Sequence, residues 1–294
     1  MIEIGLTGWG DHDSLYGDKT KAKDKLRVYG RYFPVVEVDS SFYAVQPEER
    51  MARWAEETPP GFGFVVKAYQ EMTGHQRGGS GYPDEDAMYE AFLRSLEPMA
   101  RLGKLRAALF QYPPRFDCNR ENVAALRRAK ARMGRVPCAL EFRHQSWFQP
   151  EFREKTLAFM REQGWIHSVC DEPQAGAGSV PAVLEATDPE LTIVRMHGRN
   201  GAGWNQGGAP NWREVRYLYR YSAAELEEWK GRLQQLERQS KRVTVVFNNN
   251  SGGDAADNAR QMMALLGLLT PEGKDPLAAI DPPPPEAEQM TLFD

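Results

Sequence analysis

The run Glu3-Ile4-Gly5-Leu6-Thr7, followed at once by Gly8-Trp9-Gly10-Asp11-His12, decides the fold. Its first five residues read as a strand: short, partly β-branched and cut off by a breaker. An open, doubly wound sheet would leave this strand through a glycine-rich phosphate turn that opens a helix. Thr7-Gly8-Trp9-Gly10-Asp11-His12 does not make that pattern.

Seven more runs of the same kind follow: Val35 to Asp39, Phe64 to Lys67, Ala107 to Gln111, Cys138 to Phe142, Ile166 to Cys170, Thr192 to Met196 and Val243 to Phe247. Amphipathic stretches separate most of them, at Pro47–Glu57, Asp84–Leu102, Asn119–Met133, Pro150–Gln163, Ser222–Gln239 and Asp254–Leu268. A poorer one covers Lys21–Tyr32, and the Gly-, Ala- and Pro-rich stretch Glu172–Glu190 predicts an irregular sixth crossover. Ser222 with Glu225 makes a capping box, and Asn119 is placed to cap its helix. Strand and helix in alternation mean parallel strands with helical crossovers. Eight such units in roughly 250 residues match a closed (β/α)8 barrel of the TIM type.

The pattern stops after Leu269, which sets one barrel domain over residues 1–269. Residues 270–288, with Pro and Glu prominent, read as an extended linker, and 289–294 as a tail peptide. Of 294 residues, 41% are hydrophobic and 27% charged, as in a soluble globular chain. No apolar run is long enough to span a bilayer, and the N-terminus lacks a signal-peptide pattern. The three cysteines fit a reducing cytoplasm and show no metal-cluster spacing. With 37 basic and 41 acidic residues the net charge is −4, so any DNA contact must come from a local patch or be helped by tethering.

In such a barrel, polar residues at the C-terminal strand ends meet at one mouth. Every later strand here ends in one. The catalytic candidates are Glu37, Asp39, Lys67, Glu141, Asp171 and His197; Gln111, Arg143, Arg195, Asn248 and Asn249 are binding candidates. Packing readings compete with these. Glu141 and Arg143 suit a buried ion pair, Lys67 a neutraliser of Glu37, and Asp171 a turn former. His75 and His144 suit plain loop histidines, and His167 a core residue. The glycine-rich loops after strands seven and eight are suited to an anion. Arg195, Arg199 and Asn200 would serve it in the first, and Gly252 and Gly253, opening the last helix, in the second. Glu37, Asp39, Glu141, Asp171 and His197 could supply oxygen and nitrogen to a hard divalent metal, but Arg and Lys interleave with them, so the metal stays open. Aromatics crowd the same rim, among them Trp9, Phe42, Tyr43, Tyr112, Trp204, Trp212 and Tyr217.

Near its end the chain reads Gln289-Met290-Thr291-Leu292-Phe293, hung from Pro282–Pro285. This resembles the pentapeptide by which bacterial proteins dock on the DNA sliding clamp. There Met290, Leu292 and Phe293 would fill an apolar pocket and the Gln289 amide would bond at its rim. Several barrel motifs together are similar to the YecE-like family, domain of unknown function 72. They are Thr7-Gly8-Trp9, Glu37-Val38-Asp39-Ser40-Ser41-Phe42-Tyr43, Phe110 to Pro114, Glu141-Phe142-Arg143-His144 with Ser146-Trp147, Met196 to Asn200, and Phe247-Asn248-Asn249. The resemblance spans residues 1 to 268 and implies a TIM-like barrel with these strand-end residues in one pocket. It implies no reaction. The chain departs from the family at Asn250, where the motif commonly carries histidine, and by the glycine inserted before His75.

Three functions follow as expectations. The first is a hydrolase-type enzyme on a phosphate-bearing substrate, DNA or a nucleotide. The second is a non-catalytic DNA-associated module recruited by the clamp. The third is a metabolic barrel enzyme on a sugar phosphate.

Overall fold

The structure, a computed structural model, describes residues 1–16, 20–75, 81–204 and 215–278. Eight parallel strands close into a barrel in sequence order. They are β1 (Ile2–Thr7), β2 (Val35–Val38), β3 (Gly63–Lys67), β4 (Leu105–Gln111), β5 (Cys138–Glu141), β6 (Trp165–Asp171), β7 (Leu191–Met196) and β8 (Arg242–Phe247). Closure is made by β8 lying beside β1, with Ile2 opposite Val243 and Leu6 opposite Phe247. The helices α1 (Lys25–Tyr29), α2 (Glu48–Glu56), α3 (Glu85–Arg101), α4 (Arg120–Met133), α5 (Arg153–Gln163), α6 (Gly201–Trp204), α7 (Ala223–Glu237) and α8 (Asp254–Leu265) fill the crossovers. Residues 172–190, between β6 and β7, hold no helix.

The caps that the sequence announces are in place. Asn119 accepts from Asn122 N at 2.9 Å, and Ser222 and Glu225 form the reciprocal capping box. Each satisfies backbone donors that a helix start leaves unpaired.

Period two along each strand sorts its residues into an outer and an inner set. Leu6, Val36, Val66, Phe110, Leu140, Met196 and Phe247 face the helices and belong to the main core. Val35, Val65, Ala107, Leu109, Ala139, Ile166 and Ile193 form a second, separate cluster, the barrel's own waist. At the N-terminal end the waist sits on a buried carboxylate. Glu3 accepts from Arg106 at 2.9 and 3.2 Å, from Arg242 at 2.6 Å and from Thr244 Oγ1 at 2.6 Å. Glycine makes room for this plug: a Cβ on Gly63 would lie 2.6 Å from Arg106 Nε. A buried charge so fully bonded locks the closed end, which in this architecture serves stability.

Residues 270–278, read from sequence as the start of an extended linker, turn back on the barrel. Gly273 N donates to Thr270 O, and buried Arg260 of α8 donates to Pro276 O at 2.8 Å. Gln289, Met290, Leu292 and Phe293 lie outside the described residues.

Candidate active site

Above the waist the same parity carries charged side chains inward. The lower tier is almost sealed from solvent: Glu37 and Glu141 are 0% exposed, Arg195 1% and Arg143 2%. Arg195 donates Nε and Nη2 to Glu37 at 2.8 and 2.6 Å, and Nη1 to both oxygens of Glu141 at 3.0 and 2.8 Å. Arg143 donates to Glu141 at 2.7 Å and to Glu172 at 2.6 Å. The result is an alternating row of acid and base. Burial alone would raise Glu141, but the Arg143 and Arg195 guanidiniums outweigh it and hold the carboxyl well below its usual range. Glu37 goes the other way: burial wins over Arg195 and Lys67, and its pKa is raised. Burial also pushes Glu172 up to about 7, against the pull of Arg143.

His197 is buried in the same tier. Arg143 Nη2 lies 2.9 Å from its Nε2, and the Asn248 amide 3.0 Å from its Nδ1. An arginine can only donate, so Nε2 accepts from it, while Nδ1 faces the amide nitrogen Nδ2 of Asn248. Burial first, then Arg143 and Arg195, keep the imidazole neutral by lowering its pKa well below the usual value.

Over this tier opens a cavity of about 690 Å3 at the C-terminal mouth. Asp39, Lys67, Gln111, Arg143, Arg195 and Asn248 reach it, as expected from their strand ends. Lys67 pairs with Asp39 at 2.9 Å, not with Glu37, and lies over the Phe42 ring at 4.5 Å. Residues that the strand-end reading did not nominate also line it, among them Asp11, His75, Arg115, Arg216 and Tyr217. Arg115 donates to Gly74 O. Arg216 lies on the Trp204 ring at 4.1 Å, and among the described residues its buried Nε has no hydrogen-bond partner. Among the described residues, no carboxylate ion-pairs with either guanidinium. The segment carrying Arg216 is pinned by Asn200, whose amide nitrogen donates to Val215 O at 2.9 Å and Leu218 O at 3.2 Å. Asn200 is therefore a positioning residue of the mouth rather than part of its lining.

Several sequence assignments are corrected by this geometry. Glu37 and Glu141 lie beneath the cavity and serve the arginines. On β6 the inward positions are Ser168, which donates to Glu141 at 3.3 Å, and Cys170; Asp171 points outward. There Asp171 accepts from Tyr221 Oη at 2.7 Å and from Arg199 at 3.0 Å, while Tyr221 Oη accepts from Gly198 N. Arg199 also reaches Glu225 and Glu228 at 3.4 and 3.3 Å, so its charge is committed outside the mouth. Asn249 is buried and donates to Tyr219 O and Asn258 Oδ1. Gly253 is the left-handed N-cap of α8, with φ +81°, and the helix start is met by its own Asp254, paired with Arg220 at 2.6 Å. Of that loop only Asn250 and Ser251 join Asn248 in the cavity, so Gly252 and Gly253 are not part of it. Asn250, standing where the resembling motif carries histidine, contacts His12 Nδ1 at 3.1 Å.

The metal set read from sequence does not assemble. Among the described residues, Glu141, Cys170 and His197 place their ligand atoms within 4.8 Å of one another. Both Glu141 oxygens already accept from guanidiniums, and burial pushes the Cys170 thiol far up, keeping it protonated. A divalent ion at that point would face two fixed cations, so the donor set does not suit one.

Among the described residues no helix is long and apolar enough to cross a membrane. A family model described as "Protein of unknown function DUF72" matches residues 3–282. The UPF0759 protein YunF of Bacillus subtilis is 59% identical over 269 residues, covering 91% of this chain and 95% of that protein. The UPF0759 protein YecE of Escherichia coli is 27% identical over 213 residues, 66% of this chain and 74% of the relative. A crystal structure of a DUF72 family protein from Enterococcus faecalis matches with a TM-score of 0.86 at 39% identity, covering 91% and 96% of the two chains. One from Thermotoga maritima gives 0.77 at 29% identity, covering 91% and 99%. With its sequence matched nearly end to end and its barrel shared with these structures, the chain belongs to the DUF72 family.

Proposed function

We propose that the mouth binds and hydrolyses a phosphate-bearing substrate, DNA or a nucleotide, and that the C-terminal tail brings the chain to the DNA sliding clamp. One observation carries the first half. Arg143 and Arg195 are countered from below by buried carboxylates, whereas Arg115 and Arg216 line the cavity without an acid partner among the described residues. The chain as a whole is acidic at −4, so this cationic pocket is local. Low-dielectric walls concentrate its field on an anion, and guanidiniums match phosphate oxygens in pairs. Tyr217 and Phe42 flank the same space and offer faces for a base or sugar. A sugar phosphate would meet the same two cations and is the competing occupant.

Calorimetric titration with inorganic phosphate and with a thymidine dinucleotide tests this. The double variant Arg115→Gln/Arg216→Gln, folded by circular dichroism, is expected to lose about 10- to 100-fold in affinity, the worth of one or two charge-assisted bonds. A wild-type protein that takes up neither probe refutes the reading. Tighter binding of a sugar phosphate than of the dinucleotide moves the substrate to the metabolic class. For the tail, immobilised sliding clamp should retain the full chain. It should lose at least about tenfold in affinity for a chain ending at Glu288, because the removed residues hold the apolar anchors. Equal binding by the two chains refutes the recruitment.

A further inference from the structure

We propose that His75 is the catalytic base of this mouth, accepting the proton of the water that attacks the substrate phosphorus; the inference rests on the phosphate reading above. Its placement begins at the end of β3. A short turn over Gln70–Thr73 is followed by Gly74 in the left-handed region, φ +69°, which folds the chain back so that His75 N donates to Gln70 O at 2.9 Å. This sets the ring in the cavity wall, edge-on to Phe42 with centroids 5.0 Å apart.

Two contacts fix the tautomer. Thr73 Oγ1 lies 3.2 Å from Gln70 O and 2.8 Å from His75 Nδ1. A carbonyl cannot donate, so the hydroxyl proton goes to Gln70 O. The oxygen is then free to accept from Nδ1–H. Only this assignment makes hydrogen bonds of both contacts. The lone pair is therefore on Nε2, on the ring edge away from Thr73. A base held by a third group is the arrangement that nucleophile activation requires.

Four rival groups are otherwise engaged, and Asp11, which also lines the cavity, is solvent-exposed. Glu37 and Glu141 are buried against guanidiniums, Asp39 holds Lys67, and His197 Nε2 accepts from Arg143. Burial first, then Lys67, Arg115 and Arg143, bring His75 down to about 4, with Glu141 opposing. The free imidazole is thus neutral and weak at neutral pH. An anion seated on Arg115 cancels part of the charge that depresses it, so the substrate itself strengthens the base. In the reaction the water oxygen bonds to phosphorus and its proton passes to Nε2. The phosphorus–ester oxygen bond breaks with its electron pair on the leaving oxygen, which then takes the proton back from Nε2–H.

The test uses the full chain. Nitrogen-15 spectra, with His75 assigned by its loss in His75→Gln, should show a protonated Nδ1 and a bare Nε2 at pH 7. Its titration should begin near 4 and rise by about one unit or more with saturating inorganic phosphate. His75→Gln should bind phosphate within about threefold of wild type, yet hydrolyse bis(p-nitrophenyl) phosphate at least about 100-fold more slowly. A bare Nδ1, a titration that phosphate leaves unmoved, or wild-type turnover by His75→Gln overturns the base while the binding reading stands. So does a wild type that binds phosphate and cleaves none of the ester. A wild type that binds no phosphate removes the reading and this inference with it.

Discussion

Arg195→Met is expected to destabilise the fold by about 3–5 kcal/mol at pH 7, read as a fall in the urea midpoint. The reason lies in what it leaves behind. Arg195 is the shared counter-charge of Glu37 and Glu141, both sealed from solvent, and supplies bonds of 2.6 to 3.0 Å to them. Glu141 keeps Arg143 after the change. Among the described residues Glu37 keeps no hydrogen-bond or ion-pair partner, only the more distant field of Lys67. Its pKa, already raised by burial, must rise further, so the loss should shrink at pH 5, where the orphaned carboxyl can take a proton. The triple variant Glu37→Gln/Arg195→Met/Glu141→Gln should recover most of the loss, because Arg143 and Glu172 remain as a balanced pair. A single variant that loses less than about 1 kcal/mol would mean that water reaches these carboxylates and that the row of charges is a surface network.

This row also shows where sequence reasoning ends. The eight strands were legible because each is a short apolar run between breakers, and closure followed from the alternation with helices. Strand-end polarity then found Glu37, Lys67, Gln111, Glu141, Arg195 and Asn248. Counting from the strand end failed at Asp171, because β6 runs on to that residue and parity sends Cys170 inward in its place. Partner choice was not legible at all. Lys67 takes Asp39 while Arg195 crosses the barrel to Glu37, and no spacing encodes that. Arg216 and Tyr217 enter the mouth from the connection between β7 and α7, held by Asn200 through a bond spanning 15 residues with no periodic signature. The glycines after β8 were read for an anion, but Gly253 is there to turn the backbone into α8.

His167 gives a second large effect, and with Glu172 it ties burial to pH. His167 sits on the outer side of β6 against Phe148, with Nδ1 donating to Glu185 O at 2.9 Å. Burial lowers it from 6.5 to about 4; the backbone bond opposes this, and Arg161 and Arg153 assist. Its folded pKa lies below its unfolded one, so the unfolded chain binds a proton that the fold refuses. The stability it contributes is complete above about pH 6.5 and is lost on acidification toward 4, at about 1.4 kcal/mol per pH unit and about 3 kcal/mol in all. Glu172 has the opposite sign. Its folded pKa of about 7 lies above the ordinary 4.5, so its contribution is complete below about pH 4.5 and disappears as pH rises through 7. Urea unfolding at pH 4.5, 5.5, 6.5 and 7.5 separates the two. His167→Gln, whose amide can still donate to Glu185 O, should flatten the acid-side loss by about 1.4 kcal/mol per unit. Glu172→Gln should steepen the same curve, because it removes the only one of these two terms that favours the fold in acid. Curves for both variants that run parallel to wild type would show that neither group is shielded from water, and that the buried tier does not hold its charges by desolvation.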